Sequence, residues 1–322
     1  MTETALHPAI PALLIEEPQE MISSFVNVQT GADSDQGTVQ SHPTVPYTAE
    51  ISRNNPACFL FMIDQSSSMK DPWGGKPGIN KADTLSSIIN RLLQNLVLKC
   101  TKEDTPRDYF EIGVIGYGRQ VGSAFLGHLA GKELVPVSDL ANFPARMEQK
   151  VRQEDNGTGF LMDRPVRFPI WVDAVADGGT PMCQAFGKVA DILNRWVKKH
   201  PDSFPPIVFH LTDGASTDGD PSEAVEKLKA IQTTDGPVLL FNAHVSSRPA
   251  DPQLFPSNDE GMQSDYSRWL FHMSSELTTN MRQLAESEGH HPRTGARGFV
   301  FNADPGSITH FLDIGTRPHN FH

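Results

Sequence analysis

From residue 58 onward, short apolar runs alternate with longer stretches of helical periodicity, and this alternation limits the possible folds more than any other feature of the chain. A short apolar run is typical of a buried strand, whereas apolar residues spaced three and four apart indicate a helix packed on one face. Strands that alternate with helices form parallel sheets covered by helices on both sides. The sequence therefore predicts an α/β fold with a doubly wound, mostly parallel central sheet.

The individual elements follow from the same periodicities. We predict strands at 59–63, 110–118, 168–172, 206–212, 237–245 and 298–303. We predict helices at 81–99, 181–199, 221–232, 267–287 and 307–314.

The chain is predicted to consist of one domain with flanking segments. Residues 1–55 mix Pro, Ser, Thr, Gln and acidic residues without periodicity, which indicates a flexible N-terminal arm. Residues 56–316 form the domain, and 317–322 form a C-terminal tail. Loops as long as its three insertions are uncommon unless they are functional or disordered. The insertions lie at 70–80, 127–167 and 246–266.

Charge and cysteine content exclude several classes of function. The formal net charge is −12, which argues against binding to the phosphate backbone of nucleic acids. Cys58, Cys100 and Cys183 lie far apart, without the spacing of a zinc site or a disulfide framework, so we expect a reducing, cytoplasmic location. No convincing signal peptide is present, and no apolar run approaches the ~20 residues that span a bilayer, so no membrane association is expected.

Three turns rich in side-chain oxygen atoms border the predicted strands and helices. Asp64, Ser66 and Ser68 follow the strand 59–63, Thr180 precedes a helix, and Asp213 follows the strand 206–212 in a Thr-Asp-Gly turn. Ligands of open α/β sheets bind at the carboxyl ends of the strands, so these turns are expected to converge there. Taken singly, each has an ordinary interpretation as a turn or a helix cap. Their occurrence together favours a shared site.

Two carboxylates and three hydroxyls form a set of hard oxygen ligands. Such ligands suit Mg²⁺, Mn²⁺ or Ca²⁺ and disfavour zinc. We expect Mg²⁺ or Mn²⁺ in preference to Ca²⁺, because Mg²⁺ retains several waters and needs few direct protein ligands. One coordination position would stay open to a group from outside the chain.

These residues also carry a family resemblance. The pattern Asp64-x-Ser66-x-Ser68, followed in order by Thr180 and Asp213, resembles the metal-ion-dependent adhesion site (MIDAS) of von Willebrand factor A (VWA) domains. The resemblance covers roughly residues 57–316. It implies a doubly wound sheet with one antiparallel edge strand, for which 120–126 is the candidate here.

The resemblance further implies how the site works. Ser66 and Ser68 would bind the metal directly, while Asp64, Thr180 and Asp213 would bind directly or through water. The metal would then capture an Asp or Glu side chain of a partner protein.

Other parts of the sequence are similar to a narrower group. Three segments are similar to bacterial intracellular VWA proteins, including the TerY type associated with Ser/Thr kinases and phosphatases. They are KADTLSSIINRLL, the Thr-Asp-Gly turn and the C-terminal segment FVFNADPGSITHFLDIGT. The sequence departs from the common motif at Ser67, where many members carry glycine. It also departs at the insertion 70–80, in which Trp73 either packs within the loop or anchors an interface.

The predicted function is a non-catalytic protein-interaction module, with a metal-dependent hydrolase or phosphotransfer enzyme as the alternative. A haloacid-dehalogenase-like phosphatase needs a second acidic residue at the position that Ser66 occupies. The sequence contains neither a G-x-S-x-G nucleophile turn nor a P-loop or G-x-G-x-x-G turn that opens a helix. His290 and His291 lack the spacing of metal ligands.

Overall fold

The protein is described by a computed structural model that covers residues 46–75, 78–155, 161–247 and 249–317. The predicted N-terminal arm up to residue 45 and the tail from residue 318 lie outside these residues.

The strands in these ranges, in chain order, are β1 Ala57–Asp64, β2 Thr101–Lys102, β3 Thr105–Pro106, β4 Phe110–Tyr117, β5 Val121–Ser123, β6 Val135–Pro136, β7 Arg146–Asp155, β8 Leu161–Ile170, β9 Ile207–Thr212, β10 Gln232–Thr233, β11 Gly236–Pro237, β12 Leu239–Val245, β13 Gln253–Leu254 and β14 Phe299–Ala303. The α-helices are α1 Lys81–Lys99, α2 Val137–Asn142, α3 Met182–Lys199, α4 Ser222–Lys229, α5 Asp265–Met273, α6 Thr279–Ser287 and α7 Pro305–Gly315. None of the helices in the described part of the chain is both long and apolar enough to cross a bilayer.

The central sheet has the strand order β13-β14-β12-β9-β1-β4-β5. The five strands from β14 to β4 run parallel to one another. The short strands β5 and β6 pair antiparallel with β4 at one edge, and β13 pairs antiparallel with β14 at the other. The predicted doubly wound, mostly parallel sheet is thus confirmed, and β5 lies within the predicted edge segment 120–126.

Helices cover both faces of this sheet because the central strands are apolar on both faces. All eight residues of β1 are buried. Phe59 and Phe61 belong to the core shared with α1 and α7, whereas Leu60 and Met62 belong to the core shared with α3 and α4. Successive side chains of a strand point to opposite faces, so a continuous apolar run is what a strand between two helical layers requires.

The insertion predicted as irregular at 127–167 contains regular structure. It holds α2 and most of a two-stranded hairpin, in which β7 and β8 pair over ten residues from Arg146–Ile170 to Asp155–Leu161. The predicted strand 168–172 is therefore the end of this hairpin and not a strand of the central sheet. A ribbon outside the main sheet can carry many charged residues, which weakens the apolar signal used to predict strands.

The single helix predicted at 267–287 is broken into α5 and α6. The backbone N–H of Ser275 donates to Leu240 O (2.7 Å), and Leu240 N–H donates to Ser275 Oγ (3.0 Å). Glu276 forms an isolated β-bridge with Arg297. These bonds to residues distant in sequence hold the segment between the helices in an extended conformation, which helical periodicity cannot anticipate.

Residues 46–55 pack on the domain. The N–H of Tyr47 donates to Asp235 O (2.9 Å), the N–H of Thr48 donates to Asp235 Oδ1 (2.9 Å), and Ile51 is buried in the core. These contacts show that residues 46–55 belong to the domain, which therefore begins before the predicted boundary at residue 56.

Replacement of Phe209, in the centre of β9, tests the packing of this core. Its ring lies 5.1 Å from that of Phe61 and 5.9 Å from that of Phe241, measured between centroids. We expect Phe209→Ala to lower the free energy of unfolding by ~3–5 kcal/mol in urea denaturation followed by circular dichroism. Phe143→Ala, at a site that is 38% exposed, should cost less than ~1 kcal/mol. Equal losses in the two variants would contradict this core.

Candidate metal centre

Asp64 is the last residue of β1, and its side chain is fully buried. Both carboxylate oxygens have a donor: Ser66 N–H donates to Oδ1 (2.8 Å), and the Thr212 hydroxyl donates to Oδ2 (2.8 Å). Ser66 follows on the same chain, whereas Thr212 ends the neighbouring parallel strand β9. The carboxyl ends of two central strands therefore fix this carboxylate.

Burial is the main influence on the acidity of Asp64. It raises the pKa of the Asp64 carboxyl to about 6, the hydrogen bonds from Ser66 oppose this rise, and the nearby charge of Asp213 adds to it. A buried carboxylate with a raised pKa is stabilised in its charged form by a cation within a few ångströms.

The hydroxyls of Ser66 and Ser68 connect Asp64 to the Thr-Asp-Gly turn that contains Asp213. Ser66 Oγ lies 3.0 Å from Ser68 Oγ, and the Ser68 hydroxyl donates to Asp213 Oδ1 (2.9 Å). In an octahedral shell with metal–oxygen distances of about 2.1 Å, adjacent ligands are about 3.0 Å apart. The spacing of the two hydroxyls thus fits a small, hard divalent cation, and the Asp213 carboxylate lies next to them.

Thr180 joins the site through its loop. Its side chain is largely buried, its N–H donates to Thr217 Oγ1 (2.8 Å), and its carbonyl accepts from Thr217 N–H (3.0 Å). The same loop reaches the first turn, because Ser67 N–H donates to Gly178 O (3.0 Å). The structure therefore links Asp64, Ser66, Ser68 and Asp213 by direct hydrogen bonds or a shared turn, and the loop of Thr180 is bonded to that turn.

Two details explain the local sequence of these loops. Ser67 begins a 3₁₀ turn, Ser67–Lys70, and its backbone needs no glycine, so the departure from the common motif causes no strain. Gly178 has φ +91°, and a Cβ there would lie 2.4 Å from Arg119 N. Only glycine fits at this point of the second loop.

Lys81 belongs to the site, although the sequence interpretation treated it only as the start of a helix. Its Nζ donates to Asp213 Oδ2 (2.5 Å) and to Ser247 Oγ (2.6 Å). The Lys81 and Asp213 side chains are only 1% and 3% exposed. A lysine in the first turn of a helix is usually solvated, so the sequence carried no signal for this buried ion pair.

A buried polar chain supports the strand ends beneath the site. Asn242 Nδ2 donates to Leu270 O (3.3 Å), which turns Asn242 Oδ1 toward His210 Nδ1 (2.8 Å). Nδ1 therefore carries the proton, and Nε2 accepts from the Tyr117 hydroxyl (2.7 Å). Burial lowers the pKa of His210 to about 4, in keeping with a neutral ring. Tyr117 is the register partner of Asp64 on the neighbouring strand.

Trp73 packs from its loop into the hydrophobic core and is not an exposed interface anchor. It is 3% exposed, and its indole N–H donates to Ala303 O (2.7 Å). Of the two interpretations of Trp73, the packing role is confirmed and the exposed anchor is wrong. Ile79 and Val175, each 43% exposed, are the apolar side chains that reach solvent in the segments leading into α1 and into the loop of Thr180.

Among the described residues, no group of three or more His, Cys, Asp or Glu side chains is arranged to hold a metal. The candidate centre contains two carboxylates, Asp64 and Asp213, and its other donors are hydroxyls. Its donor set fits a hard divalent cation and not zinc.

Comparisons with known proteins add little to this geometry. No family model and no curated protein matches the sequence. One similar solved structure is the vWF domain of the type V pili tip protein Mfa5 from Porphyromonas gingivalis, with 12% identity and a TM-score of 0.30 over 51% of this chain and 39% of that one. A second is a von Willebrand factor type A protein from Catenulispora acidiphila, with 12% identity and a TM-score of 0.33 over 59% of this chain and 33% of that one. A third is manganese-loaded TRAP from Plasmodium vivax, with 13% identity and a TM-score of 0.38 over 80% of this chain and 72% of that one. This chain spans about two fifths or less of the length of the Mfa5 and Catenulispora chains. Structural similarity at this level carries no argument about function.

The raised pKa of Asp64 predicts how cation binding depends on pH. Protons and the cation compete for the same carboxylate, so Mg²⁺ affinity should be level above pH 7 and fall roughly tenfold per pH unit below about 6. Isothermal titration calorimetry between pH 5 and pH 8 measures this dependence, with Asp64→Asn as the variant that lacks the titrating group. A wild-type affinity that is constant from pH 5 to pH 7 would show that Asp64 does not contribute.

Proposed function

We propose that this chain is a VWA-type protein-interaction module that binds a divalent cation at a MIDAS formed by Asp64, Ser66, Ser68, Thr180 and Asp213. The observation that carries the proposal is the chain of oxygens from Ser66 through Ser68 to Asp213 beside the buried Asp64, in which the two hydroxyl oxygens are spaced like adjacent ligands of one octahedral ion. The architecture agrees with it, because β1 and β9 deliver these residues to one edge of a mostly parallel sheet.

The protein residues would hold the cation and leave part of its charge available. Ser66, Ser68 and Thr180 are neutral donors, and the charge of Asp213 is shared with Lys81, so the protein offsets the charge of the ion only in part. Mg²⁺ or Mn²⁺ would supply a positive charge at the open coordination position. An Asp or Glu side chain of a partner protein is the complementary ligand.

A binding role fits the site better than turnover. Both oxygens of Asp64 already accept hydrogen bonds, and His210 is buried and bonded at both ring nitrogens. Neither group is placed to exchange a proton with a bound substrate. A hydrolase or phosphotransfer activity is the alternative, and turnover of generic phosphoesters with Mg²⁺ or Mn²⁺ would support it.

The cellular setting is proposed from the sequence. The resemblance to TerY-type proteins suggests a bacterial signalling or stress-response system in which a Ser/Thr kinase or phosphatase is the partner. Cys58, Cys100 and Cys183 are free in the structure, which suits the reducing cytoplasm.

Cation binding is expected to stabilise the protein. A site of millimolar affinity at ~10 mM Mg²⁺ contributes about 1.4 kcal/mol to the free energy of unfolding, and EDTA should remove this gain. Asp64→Ala and the double variant Ser66→Ala, Ser68→Ala should lose the Mg²⁺-dependent gain in urea denaturation. Ser287→Ala, at an exposed position in α6, is the matched control and should keep it. No gain in the wild-type protein with either Mg²⁺ or Mn²⁺ would contradict the site.

Partner capture is tested separately. Immobilised wild-type protein should retain a partner from a lysate of its source organism in Mg²⁺ and release it in EDTA, because the cation completes the contact. The folded Asp64→Ala variant should retain none of it in either buffer. Equal retention by wild type in EDTA would show that the cation is not the recognition element.

A further inference from the structure

We infer that Lys81 is a positioning residue of the cation site, which holds Asp213 out of direct contact with the ion and keeps the loaded site positively charged. This inference rests on the proposed function. Lys81 lies outside the motif that the sequence identifies, and its role follows from its contacts.

The position of Lys81 is unfavourable for a lysine on two grounds. Its side chain is 1% exposed, and a buried ammonium is costly unless it is paired. It is also the first residue of α1, where the positive end of the helix dipole disfavours a cation. In the described part of the chain, the bonds of Nζ to Asp213 Oδ2 and Ser247 Oγ offset these costs. The ammonium is therefore tied to Asp213.

This pairing determines what Asp213 can do. Oδ2 is occupied by Lys81, and Oδ1 accepts the Ser68 hydroxyl. With both oxygens engaged, Asp213 orients the Ser68 hydroxyl, whose lone pairs remain available to a cation. Asp213 would then reach a bound ion only through Ser68 or water. Without Lys81, Oδ2 would be free to replace a water of the ion.

Lys81 also sets the charge of the site. Asp64 and Asp213 carry two negative charges and Lys81 carries one positive charge, so the empty site has a net charge of about −1. A divalent cation brings it to about +1, which attracts a carboxylate. Without Lys81 the loaded site would be close to neutral, so the cation would bind more tightly but attract an anionic ligand less.

The test compares Lys81→Met, which keeps the length but removes the charge, with Lys81→Arg, which keeps the charge. Mg²⁺ affinity is measured by calorimetry, and the number of waters on bound Mn²⁺ by water-proton relaxation. We expect Lys81→Met to bind Mg²⁺ at least tenfold more tightly and to lose one Mn²⁺-bound water. Lys81→Arg should stay within about threefold of wild type. Lys99→Met, at the other end of α1 in an exposed ion pair with Asp313, is the control and should bind like wild type.

The outcomes separate this inference from the proposed function. If wild type binds neither Mg²⁺ nor Mn²⁺, the proposed function fails. If wild type binds but Lys81→Met has the same or weaker affinity and the same hydration, the inference is overturned and the proposed function stands. A Lys81→Met chain that folds only with Mg²⁺ supports the inference. If it folds under neither condition, Lys81→Gln replaces it, because this variant also removes the charge but keeps a polar group in the buried position. Its Mg²⁺ affinity should rise about threefold or more, and unchanged affinity overturns the inference.

Discussion

The burial of one carboxylate, Asp64, at the end of the central strand β1 is the constraint on which the site depends. A charged group without solvent is tolerated only where the protein supplies donors and a compensating charge. The donors come from Ser66 N–H and from Thr212 at the end of β9. They meet the carboxylate because β1 and β9 are parallel and in register from Phe59 to Ile63. The sheet therefore orients the oxygens of the site, and the loops add the hydroxyls.

The same requirement explains the polar chain within an otherwise apolar layer. Tyr117, His210 and Asn242 lie on three different strands, and their side chains bond in series across the sheet. Because each polar atom in this chain has a partner, the buried network favours one arrangement of the strands over alternatives. Tyr266 extends the support from α5, since its hydroxyl donates to Thr212 Oγ1 (3.2 Å). Asp64 is thus held by side chains that reach well beyond the motif.

Local patterns predicted the parts of the structure that local interactions determine. Helix α1 has the predicted bounds of 81–99, because its apolar periodicity is strong and Asn80 caps its first turn by accepting from Asp83 N–H. The motif turns were predictable for the same reason, since each adjoins a strand or helix. The break after α5 and the pairing of Lys81 with Asp213 were not, because their partners lie 35 and 132 residues away in sequence. Such contacts exist only once the sheet has brought distant segments together.

In the proposed function, the bound cation and not the protein's own surface charge would attract an acidic partner. The exposed Arg119 guanidinium is paired with Asp177 (2.6 Å), so the charge of Arg119 is balanced by that carboxylate. The protein as a whole carries −12, which repels an anionic partner, but this field is screened beyond about 8 Å at physiological salt. At contact, the local charge of a cation bound as proposed would dominate. The half-exposed side chains of Ile79 and Val175 would then be available for apolar contacts with the proposed partner.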